Sequence, residues 1–219
     1  MTNQLNLIYQ KLYTFFGPQY WWPADSAFEV IIGAVLTQNT NWSNVEKAVN
    51  NLKKDKLLEP VKLYKLSQKR LAAYIKPSGY YNIKAKRLKD FLDFFFKFYQ
   101  GNVRKMAASG KNILRQRLLS VKGIGPETAD SILLYALGKP IFVIDTYTKR
   151  ILLRHRLILE GSNYEEAQNL FMRNLRPSVR VFNEYHALLV RLAKEFCLKN
   201  KPDCQQCPLR TTNKRMAHA

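Results

Sequence analysis

The sequence predicts an all-α protein. Three observations predict it: apolar residues recur at helical spacing, breakers cut the chain into helix-length pieces, and strand patterning is almost missing. Phe28, Ile31, Ile32 and Val35 fall at i, i+3, i+4 and i+7, the spacing of one helical face. Val45, Val49 and Leu52 repeat that spacing, and so do Ala129, Ile132, Leu133 and Ala136. Breakers stand at Gly17-Pro18, Pro23, Pro60, Pro77-Ser78-Gly79, Gly101, Gly110, Gly123 to Pro126, Gly138 to Pro140 and Gly161. The segments between them are roughly 8 to 18 residues long, ordinary helix length. The run Ile141-Phe142-Val143-Ile144 is the one unbroken strand-like stretch, and it is too short to establish a sheet. No repeat, low-complexity tract or flexible linker interrupts this pattern.

Composition bounds what such a protein does. The 219 residues suffice for one large domain or two small lobes, and 47% hydrophobic content supplies a core. The longest apolar runs, Val30 to Leu36 and Ile132 to Leu137, are far too short to span a bilayer. The N-terminus lacks the basic and apolar regions of a secretory signal, so the expectation is a soluble intracellular protein. Lys and Arg number 36 against 16 Asp and Glu, a formal net charge of +20. That surplus calls for a polyanion, and together with 12% aromatic content it points to nucleic acid. Anionic membrane is the rival, but neither end carries a basic amphipathic segment with a clean apolar face. Charge alone does not separate an enzyme from a passive binder.

The most informative stretch is Leu118 to Asp130. A helix ending near Ser120 meets a turn with glycines at 123 and 125, and Pro126 suits the first turn of a second helix. The glycines permit positive φ and close backbone approach, and the free amides of the second helix then face outward as anion ligands. Lys122 adds a point charge beside them, and Thr128 lies in the same turn of helix. This is a helix-hairpin-helix pattern, spanning about residues 112–137, suited to holding a nucleic-acid backbone without reading sequence. The alternative is a plain helix–helix connection, in which Gly-x-Gly is common.

Beyond the hairpin comes Val143-Ile144-Asp145-Thr146-Tyr147-Thr148-Lys149-Arg150. With Leu36-Thr37-Gln38-Asn39-Thr40, Gly79-Tyr80-Tyr81-Asn82-Ile83-Lys84-Ala85 and the cysteine-bearing tail, the hairpin and this Asp resemble the endonuclease III superfamily of DNA glycosylases. The resemblance covers nearly the whole chain. It implies a six-helix barrel lobe over residues 27–138 and a second helical lobe from 1–26 and 139–219, with damaged duplex DNA and its flipped base in the cleft between them. It implies a base-excision-repair enzyme, monomeric, acting ahead of an abasic-site endonuclease, cytoplasmic and nucleoid-associated if prokaryotic. Asp145 takes the catalytic role by resemblance. The chemistry suits it, because breaking an N-glycosidic bond builds positive charge on the sugar that a carboxylate stabilises while orienting water. An Asp before Thr146 is also a good helix cap, and both roles are compatible.

Bifunctional members carry a lysine two residues beyond the second hairpin glycine, where its amine forms a Schiff base with the sugar. Here that position is Glu127, which cannot. The expected enzyme is therefore monofunctional, leaving an abasic site; Lys122 or Lys149 is the substitute if a lyase exists. Trp21-Trp22-Pro23, the Thr37-Gln38-Asn39-Thr40 loop with Trp42 two residues on, and Glu127 together look like the 3-methyladenine DNA glycosylase branch. In that branch Trp21, Pro23, Trp42 and Glu127 line the base pocket, with the indoles stacking on a cationic base. One of Trp21 and Trp22 is expected to be a core staple instead. Gln38 stands where family members fill the gap left by the flipped nucleotide; the plain alternative is a satisfied loop amide. Tyr81, Asn82 and Lys84 read as packing and backbone-contact positions. The rival enzyme is an endonuclease III-like glycosylase for oxidised pyrimidines or mismatched bases. The rival from another class is a non-catalytic DNA-binding helix-hairpin-helix protein.

All three cysteines lie in the tail, as Cys197-x6-Cys204-x2-Cys207. Clustered thiols in an intracellular protein read as a metal site before a disulfide framework. The family's [4Fe-4S] pattern places a fourth cysteine where this chain has Asn213. The alternatives are a cluster completed by another group such as His218, zinc on these thiols and His218, or a loop that folds without metal around Phe196, Pro202 and Pro208.

Overall fold

The computed structural model describes residues 1–212. It is all-α, with no strand among the described residues. Twelve α-helices follow one another: α1 (Thr2–Phe16), α2 (Ala27–Leu36), α3 (Trp42–Lys54), α4 (Pro60–Lys65), α5 (Gln68–Tyr74), α6 (Tyr81–Tyr99), α7 (Val103–Ala108), α8 (Lys111–Leu119), α9 (Pro126–Ser131), α10 (Thr146–Arg154), α11 (Tyr164–Asn174) and α12 (Val179–Glu195). A 3₁₀ turn at Lys76–Ser78 precedes α6, and a π-helical turn at Ile132–Ala136 continues α9. No helix among the described residues is long and apolar enough to cross a membrane.

The chain divides into two compact units. One runs from Trp22 to Lys139 and holds α2–α9. Its centre is α2, where every residue from Phe28 to Leu36 is buried. A helix apolar on all sides belongs in the middle of a bundle, and α3, α6, α9 and the π-helical turn pack around it. Ser26 caps α2 by accepting from the Glu29 amide at 3.2 Å. Buried Glu29 is paired with Lys53 Nζ at 2.6 Å. Phe28, Phe91 and Phe95 stack at centroid separations of 6.0 and 5.6 Å, each adding about 1.5–3 kcal/mol by burial. The unit begins at Trp22, rather than at residue 27, because that ring packs on Gly33: a Cβ there would lie 3.1 Å from the indole.

The other unit joins residues 1–21 to the chain from Pro140 onward. Leu5, Ile8 and Leu12 form the buried stripe of α1, and buried Tyr185 of α12 donates to the Leu5 carbonyl at 2.9 Å. The strand-like run Ile141–Ile144 is buried and irregular, and pairs with no strand among the described residues. Side chains satisfy its backbone instead: Gln168 Nε2 donates to the Phe142 carbonyl at 2.6 Å, and the Phe142 amide donates to Met172 Sδ at 3.4 Å. The Phe142 ring lies flat on Phe171, 3.7 Å between centroids. This run is the buried cable that delivers the chain to Asp145.

Candidate active site

In the first of these units, the turn between α8 and α9 is built on two unlike glycines. Gly123 takes φ +84°, which a side chain rarely adopts, and a Cβ on it would lie 2.5 Å from Arg87 Cγ. Gly125 was expected to use the same freedom and does not. It has φ −91° and ψ 178°, ordinary extended backbone, as the N-cap of α9. Among the described residues, chain neighbours aside, no heavy atom lies within 4 Å of where its Cβ would stand. Nothing inside the fold therefore requires glycine at 125. Pro126 opens α9, Lys122 is exposed, and Ile124 is buried as the apolar anchor of the turn. Arg115 of α8 holds Asp130 of α9 through two bonds of 2.7 and 3.0 Å, and Asp130 is wholly buried.

Gln38 follows α2 and reaches the same turn. Its Nε2 donates at 3.0 Å both to the Gly123 carbonyl and to Thr128 Oγ1, while Arg87 Nη1 donates to its Oε1. The structure thus shows Gln38 as a clasp between the loop and the hairpin. Thr128, expected at the binding surface, is 6% exposed and turned inward to that clasp, because it lies on the buried side of α9. Arg87 was missed in the sequence; only its place two residues beyond the Lys84-Ala85 pair hinted at it. Lys84 is buried at 1% exposure and donates to the Leu36 carbonyl at 2.8 Å and the Ser78 carbonyl at 2.6 Å. It closes the C-terminal end of α2 just before Gln38. Burial, with the Arg87 charge adding to it, lowers its pKa to about 8.

The aromatic residues sort by unit. Trp42 at the start of α3 is half-buried and meets Trp22 edge-on at 5.0 Å and 87°. Trp22 in turn tilts against Tyr135 of the π-helical turn at 5.4 Å. Trp22 is the core staple, and Tyr135, half-buried, completes an aromatic group that periodicity could not reveal. Single π-helical turns inside helices are frequent at functional sites. Trp21 belongs to the other unit, where it lines a depression of about 290 Å³ with Gln19, Val190, Arg191, Lys194 and Glu195. Pro23 and Glu127 are exposed.

Asp145 caps α10. Its Oδ1 accepts from the Thr148 amide at 2.6 Å, so the helix N-terminus holds the carboxylate in one rotamer. Its side chain keeps 14% exposure, and its Oδ2 lies 3.7 Å from His186 Nε2. Burial lowers the His186 pKa, and the Asp145 charge works in the opposite direction.

Among the described residues no three His, Cys, Asp or Glu side chains form a group able to hold a metal ion. Cys197 is buried with its Sγ accepting from Arg154 Nη1 at 3.2 Å; Cys204 is exposed and Cys207 half-buried. Arg154 also donates to the carbonyls of Leu198 and Lys199, and Arg150 to those of Cys197 and Ala193. The three thiols lie near enough for Cys197 and Cys204 to raise the Cys207 pKa, less than burial does. Asn213 and His218 lie outside the described residues.

The family model for HhH-GPD superfamily base excision DNA repair proteins matches residues 32–177. MJ1434 of Methanocaldococcus jannaschii is 48% identical over 205 residues, 93% of this chain and 92% of that protein. Endonuclease III of Thermotoga maritima is 28% identical over 183 residues, 84% of this chain and 80% of that one. Among solved structures, H. pylori 3-methyladenine DNA glycosylase bound to 1,N6-ethenoadenine superposes with a TM-score of 0.76 at 30% identity, covering 90% of this chain and 99% of the other. A trapped endonuclease III–DNA covalent intermediate gives 0.81 at 21% identity over 99% of both chains, a likeness of fold.

Proposed function

Because the chain belongs to the HhH-GPD superfamily of base excision DNA repair proteins and is a DNA glycosylase of that family, we propose that it is monofunctional and removes 3-methyladenine from duplex DNA. The observation that carries this reading is Glu127. It stands exposed in the first turn of α9, at the position where bifunctional relatives carry their lysine, and a carboxylate forms no Schiff base. The 30% identity to a 3-methyladenine glycosylase over 90% of this chain supports the choice of base.

In this reading the outward amides around Gly123 and Gly125, with Lys122, grip phosphate, and Gln38 and Thr128 brace the grip from behind. Trp42 offers an indole face to the flipped base, with Pro23 and Glu127 of the same unit. A 3-methylated adenine is cationic while attached to the sugar, so indole contact adds roughly 0.5–2 kcal/mol beyond stacking. When its C1′–N bond breaks, the electron pair leaves with the base, which departs neutral and needs no proton. The positive charge passes to the sugar, where the Asp145 carboxylate stabilises it and orients water. Water oxygen forms the new C1′–O bond and its proton passes to the carboxylate and on to solvent. The product is an abasic site, which an abasic-site endonuclease would cut.

The lyase question has a direct test. Incubation with duplex DNA carrying a preformed abasic site, with borohydride present, should yield neither strand cutting nor a trapped adduct. A trapped adduct would overturn the monofunctional reading, and its loss in Lys122→Ala or Lys149→Ala would name the nucleophile.

A further inference from the structure

We propose that His186 is the positioning residue for Asp145, its buried ring packed beside the second carboxylate oxygen and limiting where that oxygen can go. This rests on the reading of Asp145 as the catalytic carboxylate.

The two oxygens of Asp145 have different surroundings. Oδ1 is committed to the Thr148 amide at 2.6 Å, so the helix fixes it. Oδ2 faces His186 Nε2 across 3.7 Å, too far for a direct hydrogen bond but close enough for each charge to be felt by the other. The imidazole sits mid-way along α12 at 6% exposure. Its ring meets Phe142 edge-on at 6.4 Å, and Phe142 belongs to the buried run that delivers the chain to Asp145. One packed layer therefore sets the positions of both partners. Asp145 from the head of α10 and the Phe142 ring are two of the groups placed against this ring.

The consequence is chemical. A carboxylate facing a neutral imidazole keeps its full field for a developing sugar cation. Protonation of His186 would place a compensating positive charge 3.7 Å from Oδ2 and weaken that field. Activity should then fall in acid as His186 gains its proton.

Two readouts test this, one of which needs no substrate. The imidazole proton resonances of His186, assigned by comparison with His186→Gln, are titrated in the wild-type protein and in Asp145→Asn. Removing the carboxylate should lower the His186 midpoint by about one pH unit; an unchanged midpoint would overturn the pairing. The second readout is 3-methyladenine release from methylated duplex DNA across pH, with melting and duplex affinity measured in parallel. His186→Phe should lower kcat about tenfold while duplex affinity holds, and His186→Gln, which keeps a polar nitrogen, should restore most of the rate. The acid limb should move to lower pH in His186→Gln. A wild-type kcat in folded His186→Phe, or an unmoved limb in His186→Gln, would overturn the proposal. Full turnover in Asp145→Asn would instead sink the reading of Asp145, and the titration would still decide the pairing.

Discussion

Alanine at each hairpin glycine should separate folding from binding. Gly123 sits at φ +84°, where a side chain costs about 1–2 kcal/mol. Its new Cβ would also lie 2.5–2.8 Å from the Arg87 stem, forcing that side chain off Gln38. Losing one partly exposed, charge-assisted bond adds roughly 1–2 kcal/mol. Gly123→Ala should therefore destabilise by about 2–4 kcal/mol, a fall in Tm of roughly 5–15 °C for a chain of this size. Gly125 is different: φ is −91° and, among the described residues and chain neighbours aside, its Cβ would meet no heavy atom. Gly125→Ala should leave the fold intact or raise stability by about 0.4–1 kcal/mol through the unfolded chain. Its methyl nonetheless stands at the head of α9, where phosphate would approach the amides, so duplex affinity should drop about tenfold or more. Thermal melts and fluorescence anisotropy with a labelled duplex at fixed salt read both effects. A stable Gly125→Ala protein with wild-type affinity would refute the argument, since the hairpin backbone would then not be the grip.

Other consequences are as specific. Arg115→Met removes the two guanidinium bonds from the buried Asp130 carboxylate and should cost about 3–5 kcal/mol in urea unfolding, while the double variant with Asp130→Asn should recover much of it. Burial holds His155 and His186 below the ordinary value of 6.5, so the folded chain binds fewer protons than the unfolded one below that pH. Their contribution to stability is full above about 6.5 and is lost as pH falls toward the folded values; His155→Gln with His186→Gln should flatten that slope. Trp42→Leu should reduce release of a cationic methylated base about tenfold while sparing melting temperature, and an equal loss on a neutral base would argue against cation-π selection.

How much was legible follows from what each residue answers to. Helical periodicity and Gly/Pro punctuation are local demands, so the all-α class and the α8–turn–α9 element could be read directly, Pro126 opening α9 as its fixed φ requires. Asp145 as a cap was legible for the same reason. The run at 141–144 looked like a strand because β-branched residues suit buried extended backbone, yet Gln168 and Met172, far along the chain, satisfy it without a sheet. Partners set by tertiary packing were invisible: Arg87 against Gly123, His186 against Asp145, and Tyr135 against Trp22. The inward turn of Thr128 was hidden because composition does not say which side of a short helix faces the core.

The most direct test is base release from methylated duplex DNA, with products separated chromatographically for the wild-type protein and Asp145→Asn. Asparagine also caps helices, so the variant should fold normally. The account predicts free 3-methyladenine from the wild-type protein and loss of that release, about a hundredfold or more, in the variant. No 3-methyladenine from the folded wild-type protein, or undiminished release by Asp145→Asn, would contradict it.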